Sequence, residues 1–190
     1  LARRGFDVVH HDRPGRGDSG GEPPFSLARE VAAVRALLDV VGGQLDPGVG
    51  LARVDGRAIG LLANDCRHLS GAIDSDGADK AARFLQLCDA FGVPVVSLID
   101  TPGFMVGPDA ERTAPVRHGS RMFLVAAQLS VPIFAVVIRK AYGLGAQAMA
   151  GGSLQTSAFT VAWPTGEFGG MGLEGAVRLG YRRELDAIVD

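Results

Sequence analysis

The sequence predicts an α/β domain, because nearly continuous apolar runs alternate with segments whose apolar residues recur at helical spacing. Runs of this kind are typical of strands that are covered on both faces. Four are predicted as strands: residues 57–63 (RAIGLLA), 94–99 (PVVSLI), 132–138 (PIFAVVI) and 158–163 (AFTVAW). Between the first two, the predicted helix has an apolar face formed by Ala81, Phe84, Leu85, Cys88 and Phe91. Between the second and third, the predicted face consists of Val116, Ser120, Phe123, Leu124 and Ala127, with Ser120 as its small polar member.

Residues 1–43, which precede this domain, show a single strand–loop–helix pattern instead of repeated strands and helices. Residues 6–11 predict a short strand, and residues 14–24 (PGRGDSGGEPP) predict a loop because they are rich in glycine and proline. A helix is expected next, since apolar residues recur at helical spacing and two glycines follow them. These residues are Val31, Val34, Leu38 and Val41, followed by Gly42 and Gly43. Residues 44–50 are predicted as a linker, which places the α/β domain at residues 51–190.

The loop contains Ser19 within the string GDSGG, a literal G-x-S-x-G. A nucleophile elbow requires a helix directly after the serine, and the sequence here continues with loop residues. The trypsin-like interpretation requires a histidine and an aspartate far upstream, and only 18 residues precede Ser19. Residues 1–43 instead resemble the strand, loop and helix that lie upstream of the nucleophile in α/β-hydrolases. We therefore predict that Ser19 is a loop residue and not a nucleophile.

The bulk composition narrows the class of protein. With 190 residues, 47% of them hydrophobic, the chain is long enough for one domain with a sizeable core. A net charge of -2 gives no indication of a nucleic-acid or anionic-membrane partner, and the longest apolar run, residues 131–138, is too short to span a membrane. No signal peptide is expected at Leu1, and the helical pattern near Asp190 has no stop signal, so we expect a segment of a longer protein.

Cysteine usage points to a reducing, cytoplasmic compartment. The chain has two cysteines, Cys66 and Cys88, with no C-x-x-C motif and no nearby pair of histidines. Neither a disulfide framework nor a metal site is therefore expected. Cys88 lies on a predicted apolar helix face, so we expect it to be a core residue rather than a reactive thiol.

Two loops that follow predicted strands are the candidate sites of chemistry. Residues 99–104 (IDTPGF) end one strand, and residues 139–152 (RKAYGLGAQAMAGG) end the next with a glycine-rich turn that leads into a small-residue helix. Gly143 and Gly145 would let the backbone approach a ligand closely, and the first amides of a helix have no intrahelical partner. The pattern indicates an anion or oxyanion site, with tight helix–strand packing as the alternative explanation. No Walker lysine is present, since Lys140 precedes the glycines.

Five stretches in collinear order, over about residues 49–190, carry a more specific pattern. They are GRAIGLLAND, SGAIDSDGADKAARFLQLCDAFGVPVVSLIDTPGF, RHGSRMF, VPIFAVVIRKAYGLGAQAMAGGS and AWPTGEFGGMGLEGAV. Together they resemble the C-terminal half-domain of the carboxyltransferase component of biotin-dependent acyl-CoA carboxylases. The resemblance implies a crotonase-like ββα superhelix that transfers CO2 from carboxybiotin to the α-carbon of an acyl-CoA. Biotin-dependent acyl-CoA decarboxylases, which run the transfer in the opposite sense, are an alternative.

The resemblance also implies roles for individual residues. Gly145 and Ala146 match the glycine–alanine pair whose amides form the catalytic oxyanion hole of this half-domain. The expected biotin-binding residues are Gly103, Phe104, Gly143 and Leu144, although Leu144 stands between the two glycines, where the propionyl-type pattern has no residue. Ala148 occupies a substrate-binding position near the acyl chain, where that subgroup has an aspartate, so the acyl group stays open.

The expected partners follow from the same resemblance. They are an acyl-CoA substrate, a biotin carboxyl carrier protein and biotin carboxylase, with a homo-oligomer in the full-length form. The family's N-terminal half-domain, which binds CoA and supplies the second oxyanion hole, has no counterpart in this sequence, so we expect the 190 residues alone to be inactive. Two other classes stay open: a hydrolase that uses Ser19, and a noncatalytic assembly module.

Overall fold

The computed structural model describes residues 48–54 and 56–189 of the chain. The strand predicted at residues 6–11, the loop with Ser19, the helix that ends near Val41 and most of the predicted linker lie outside the described residues. These interpretations therefore stay predictions, as does the division of the chain into domains.

The described part is built on a six-stranded sheet with helices packed against it, as the α/β pattern predicted. Its strands are β1 (Val49–Val54), β2 (Arg57–Ala63), β3 (Val95–Thr101), β4 (Ile133–Tyr142), β5 (Phe159–Ala162) and β6 (Glu167–Gly169). The sheet order is β1-β2-β3-β4-β5, and β6 also pairs with β4. β1 and β2 form an antiparallel hairpin, whereas the pairs from β2 onward are parallel. β5 pairs with the first half of β4 and β6 with its end.

The first strand was not predicted, and it begins at Val49, inside the stretch predicted as linker. Its residues show no continuous apolar run because β1 is an edge strand, and Leu51 is 60% exposed. A local signal for the hairpin does exist in the sequence. Residues 55 and 56 are Asp-Gly, a dipeptide typical of two-residue hairpin turns, and Gly56 adopts a φ of 78°.

Six helices accompany the sheet in the described residues: α1 (Ser75–Ala90), α2 (Pro108–Glu111), α3 (Pro115–Ala126), α4 (Gly143–Met149), α5 (Leu173–Gly180) and α6 (Arg182–Val189). A 3-10 turn at Leu69–Gly71 precedes α1. No helix among residues 48–54 and 56–189 is long and apolar enough to cross a membrane.

Helix α1 begins at a side-chain cap and packs on the sheet with the face that its periodicity predicted. The carboxylate of Asp74 accepts a hydrogen bond from the amide of Gly77 at 2.8 Å. Leu85 and Cys88 are fully buried, which confirms the structural interpretation of Cys88, and burial raises the pKa of its thiol to about 11. Phe91 was wrongly placed on this face, since α1 ends at Ala90 and Phe91 is 75% exposed.

Helix α3 turns a different face to the core than the one predicted. Its buried residues are Pro115, Gly119 and Met122, whereas Val116 is 76% exposed and Leu124 is 65% exposed. Ser120 and Ala127 are also exposed, and Phe123 is half-buried. The prediction followed the larger apolar residues, but a glycine allows closer packing, and the ring of Phe104 fills the space beside Gly119. Helix α3 thus has two apolar stripes. The stripe with the smaller residues packs against the rest of the described structure, and the stripe with Val116 and Leu124 is exposed.

Candidate functional site

The candidate site lies where the parallel strands β3 and β4 end. Ligands of open α/β sheets bind in the crevice outside the carboxyl ends of the strands. The loop with Gly103 and Phe104 follows β3, and α4 begins directly after β4, which extends to Tyr142, four residues beyond the predicted end. The two loops chosen from the sequence are therefore neighbours.

Gly145 of α4 contacts the backbone of the β3 loop directly. A Cβ placed on Gly145 would lie 2.7 Å from the carbonyl carbon of Gly103, 2.8 Å from its Cα and 3.1 Å from the nitrogen of Phe104. Such distances are shorter than van der Waals contact, so a side chain at residue 145 would displace the loop. The structure thus brings together the two segments that the sequence singled out separately.

Hydrogen bonds fix the β3 loop in this position. Gly103 has a φ of 123°, a backbone conformation that favours glycine. The hydroxyl of Thr101, which is fully buried, accepts from the Gly103 amide at 3.0 Å and donates to the Gly103 carbonyl at 3.1 Å. The amide of Ile73 donates to the same carbonyl at 3.0 Å, and the amide of Met105 donates to the Ile73 carbonyl at 2.8 Å. The loop is therefore preorganised before any ligand binds.

The first turn of α4 presents backbone amides at this contact. Gly143 enters the helix with a φ of 57°, and no side chain caps it. The amides of Gly143, Leu144 and Gly145 lie within the first turn, where no intrahelical carbonyl is available to them. In a regular helix, the amide of Ala146 donates to the carbonyl of Tyr142, so Gly145 is the stronger of the two predicted donors.

The start of α4 is anchored through the side chain of Tyr142. Its hydroxyl donates a short hydrogen bond to a carboxylate oxygen of Glu167 in β6. This hydrogen bond, together with burial of the ring, raises the pKa of Tyr142. A hydrogen bond to β6 therefore holds the last residue of β4, and this fixes the position at which α4 begins.

The predicted site residues differ in how much surface they expose. Gly103 and Gly145 are buried at their mutual contact, Phe104 is half-buried, and Leu144 is 62% exposed. Ala146 and Ala148 belong to the hydrophobic core, with exposures of 1% and 0%. A role of Ala148 in acyl selection would therefore act through packing, and the predicted roles of all these residues stay predictions.

Sequence reasoning missed a buried carboxylate beside the contact. Asp100, at the end of β3, is 7% exposed, and its carboxylate accepts from Arg139 Nη2 at 3.1 Å and from the Lys140 amide at 3.2 Å. The thiol of Cys66 donates to Asp100 Oδ2 at 3.0 Å. Burial, followed by this hydrogen bond to the carboxylate, raises the pKa of Cys66, and Asp100 raises the pKa of Arg139. Charged residues that directly follow two apolar strands were the available signal.

A cavity of about 300 Å³ lies beside the site, in front of α1. Its apolar floor includes Leu62, Met122 and Met149, and its rim carries a hydrogen bond between His68 Nε2 and Asp74 Oδ2 at 2.9 Å. None of the site residues predicted from the sequence lines this cavity. Within residues 48–54 and 56–189, no group of three or more His, Cys, Asp or Glu side chains is placed to hold a metal ion.

Comparison with known proteins gives a consistent result. The family described as Carboxyl transferase domain matches residues 49–188. A propionyl-CoA carboxylase carboxyltransferase subunit from Haloferax mediterranei is 38% identical over 166 residues, covering 80% of this chain and 32% of that protein. The methylmalonyl-CoA carboxyltransferase 12S subunit from Propionibacterium freudenreichii is 42% identical over 139 residues, covering 73% of this chain and 26% of that protein.

Solved structures agree with these sequence matches. A single-chain, multi-domain long-chain acyl-CoA carboxylase superposes with a TM-score of 0.68 at 63% identity, covering 70% of this chain and 14% of that one. Transcarboxylase 12S, solved with methylmalonyl-CoA and methylmalonic acid bound, superposes with a TM-score of 0.67 at 39% identity, covering 73% of this chain and 26% of that one. This chain thus spans about a quarter to a third of the length of the curated relatives it matches.

Proposed function

Because this chain belongs to the carboxyl transferase domain family and has the crotonase-like α/β fold of its solved members, we propose that residues 49–188 supply the biotin-side half of a carboxyl-transfer site. The observation that supports this proposal is the contact of Gly145 with Gly103 at the ends of β4 and β3. This contact is the tight packing that the sequence left open as the alternative explanation of the glycines. The donors proposed for a ligand are the amides in the first turn of α4, to which no intrahelical carbonyl is available.

The proposed chemistry is stabilisation of negative charge by backbone amides. Biotin on a carrier protein would supply the carboxyl group, with negative charge developing on its ureido oxygen during the transfer. Gly145 is the proposed principal amide donor toward that charge, and Ala146 is the second. Donors held by a rigid helix and a pinned loop need no reorganisation at the moment of reaction. The proposed lining residues are Gly103, Phe104, Gly143 and Leu144.

The substrate and partners belong to the same proposal. The 63% identity to a long-chain acyl-CoA carboxylase favours a long-chain acyl-CoA as substrate and carboxylation as the direction. A biotin carboxyl carrier protein and biotin carboxylase are the proposed partners, in the cytoplasm. The hexamer assembly described for transcarboxylase 12S supports a homo-oligomer for the complete enzyme.

A chimera tests this function without the rest of the natural protein. Residues 49–188 of this chain replace the matching segment of the Propionibacterium 12S subunit, to which the chain is 42% identical. We expect the assembled chimera to carboxylate acyl-CoA from carboxybiotin and the isolated 190 residues to show no transfer, because one half-site lacks a CoA site. Long-chain, propionyl and acetyl thioesters are compared in one assay. A folded but inactive chimera would contradict the proposal, and robust transfer by the isolated chain would contradict the half-site.

A further inference from the structure

The two strands that carry the site change register just before they reach it. Ile99 of β3 pairs with Val137 of β4, but the next pair joins Thr101 to Ala141. Asp100 therefore lies opposite three residues of β4, 138–140, which have no partner residue in β3. Such a β-bulge leaves backbone groups outside the ladder and changes the direction of the strand.

At the bulge, the side chain of Asp100 accepts a hydrogen bond from the backbone of β4 where strand pairing provides none. Its Oδ1 accepts from the backbone amide of Lys140 at 3.2 Å, across the bulge. Both carboxylate oxygens contact Arg139, with Nε at 3.2 to 3.3 Å and Nη2 at 3.1 Å. A buried carboxylate is costly unless it is paired and hydrogen-bonded, and these contacts satisfy that requirement.

Surrounding groups leave Asp100 little freedom to move. Its amide donates to Asn64 Oδ1 at 3.1 Å, and the Cys66 thiol donates to its carboxylate. The 3-10 turn lies directly on its backbone, since a Cβ on Gly71 would be 2.2 Å from the Asp100 carbonyl oxygen. The ammonium group of Lys140 donates to the carbonyl of Ser70 in the same turn at 2.7 Å. Both strands of the bulge are thus tied to one turn.

We propose that Asp100 is a positioning residue that locks the bulge and thereby sets the first turn of α4 against Gly103. The bulge ends at Ala141, so its geometry fixes where Tyr142 ends the strand and where Gly145 meets the loop. Asp100 lies one residue before Thr101, whose hydroxyl holds Gly103. One carboxylate therefore orients both sides of the contact. The catalytic consequence rests on the proposed function, whereas the positioning does not.

Hydrogen exchange of backbone amides in the full 190-residue chain tests the positioning. The variant is Asp100→Ala, and the control is Asp89→Ala, which removes a carboxylate that accepts from the amides of Ser130 and Val131 before the start of β4. With Asp100→Ala, we expect exchange of the Lys140 amide to rise about tenfold or more relative to the amides of β3, because a charge-assisted hydrogen bond is lost. Exchange at Ala146, whose amide donates to the Tyr142 carbonyl in a regular helix, should rise with it, and Asp89→Ala should leave both ratios unchanged.

Uniform acceleration across β3 and β4, or an unchanged Lys140 amide, would overturn the proposal. If Asp100→Ala fails to fold, Asp100→Asn is compared with Asp89→Asn. The asparagine retains an oxygen that can accept from the Lys140 amide and loses the charge toward Arg139, so we expect a smaller acceleration than from complete loss of the acceptor.

The chimera extends the test to catalysis. At equal folded fraction, the transfer rate should fall about 100-fold with Asp100→Ala relative to Asp89→Ala, because small misplacements of a catalytic group are costly, and Asp100→Asn should restore part of it. Rates within twofold of the Asp89→Ala control would overturn the catalytic part. If the unaltered chimera is inactive, the proposed function fails, and the exchange ratios still decide the positioning.

Discussion

At the scale of single residues, Gly145 and Gly103 show how close packing of two backbones selects glycine. Each glycine allows the other backbone to approach, and the amide of Gly103 is already engaged by Thr101. The glycine-rich turn could be recognised from the sequence for this reason. Asp100 could be noticed as a charged residue at the end of an apolar strand, but its contacts across the register shift could not be predicted, because no local pattern encodes that shift.

The stability of Gly145→Ala measures the contact directly. We expect this variant to lower the free energy of unfolding by about 1–3 kcal/mol, since the added methyl group would overlap the Gly103 backbone. Gly180→Ala is the matched control, because a Cβ there meets nothing within 4 Å and alanine is the better helix former. Denaturant unfolding of both variants gives the comparison, and equal midpoints would show that the contact is not tight.

The reactivity of Cys66 reports the charge of Asp100. Burial and the carboxylate raise the pKa of this thiol, so less of the nucleophilic thiolate is present at a given pH and alkylation should be slower than that of an unperturbed cysteine. Asp100→Asn removes the negative charge and should move the pH–rate profile of iodoacetamide labelling to lower pH. Cys88, with a pKa of about 11 in the core, should stay unlabelled in both proteins. An unchanged profile for Asp100→Asn would contradict the assigned contact.

At the scale of elements, strands with an apolar run were predictable and strands without one were not. The edge strand β5 was found from its run, but the expectation that it is covered on both faces was wrong, since three of its four residues are exposed. β3 and β4 are apolar on both faces and were found from their runs, although β4 extends further than predicted. β1 alternates in burial at the edge, and β6 has three exposed residues, so neither has an apolar run to detect. Helix α3 was found, but its buried face was assigned wrongly, because two stripes of one helix carry apolar residues.

Paired substitutions in α3 test the corrected face. Met122 is fully buried, and Met122→Ala should destabilise the chain by about 2–4 kcal/mol through loss of buried surface and creation of a cavity. Leu124→Ala removes a similar volume from a side chain that is 65% exposed, so its effect should be within about 0.5 kcal/mol. Thermal or denaturant unfolding distinguishes the two, and a larger loss from Leu124→Ala would restore the face that the periodicity predicted.

At the scale of the whole molecule, the family could be recognised because its motifs are collinear over residues 49–188. Two of these motifs contain the ends of β3 and β4, whose parallel pairing brings their loops to one edge of the sheet. This chain spans only about a quarter to a third of the length of these relatives, so the sequence could not show what the rest of the protein contributes.

The most direct test of the central claim is the carboxyl-transfer rate of the chimera with Gly145→Val, measured beside Gly180→Ala at equal folded fraction. The valine would enter the space held by the Gly103 backbone and misplace the amide, and loss of one such donor lowers the rate by about 100-fold or more. We predict that loss for Gly145→Val and a rate within about twofold of the unaltered chimera for Gly180→Ala, whose added methyl group meets no neighbour within 4 Å. Full activity with Gly145→Val would contradict the assignment of Gly145 to the site.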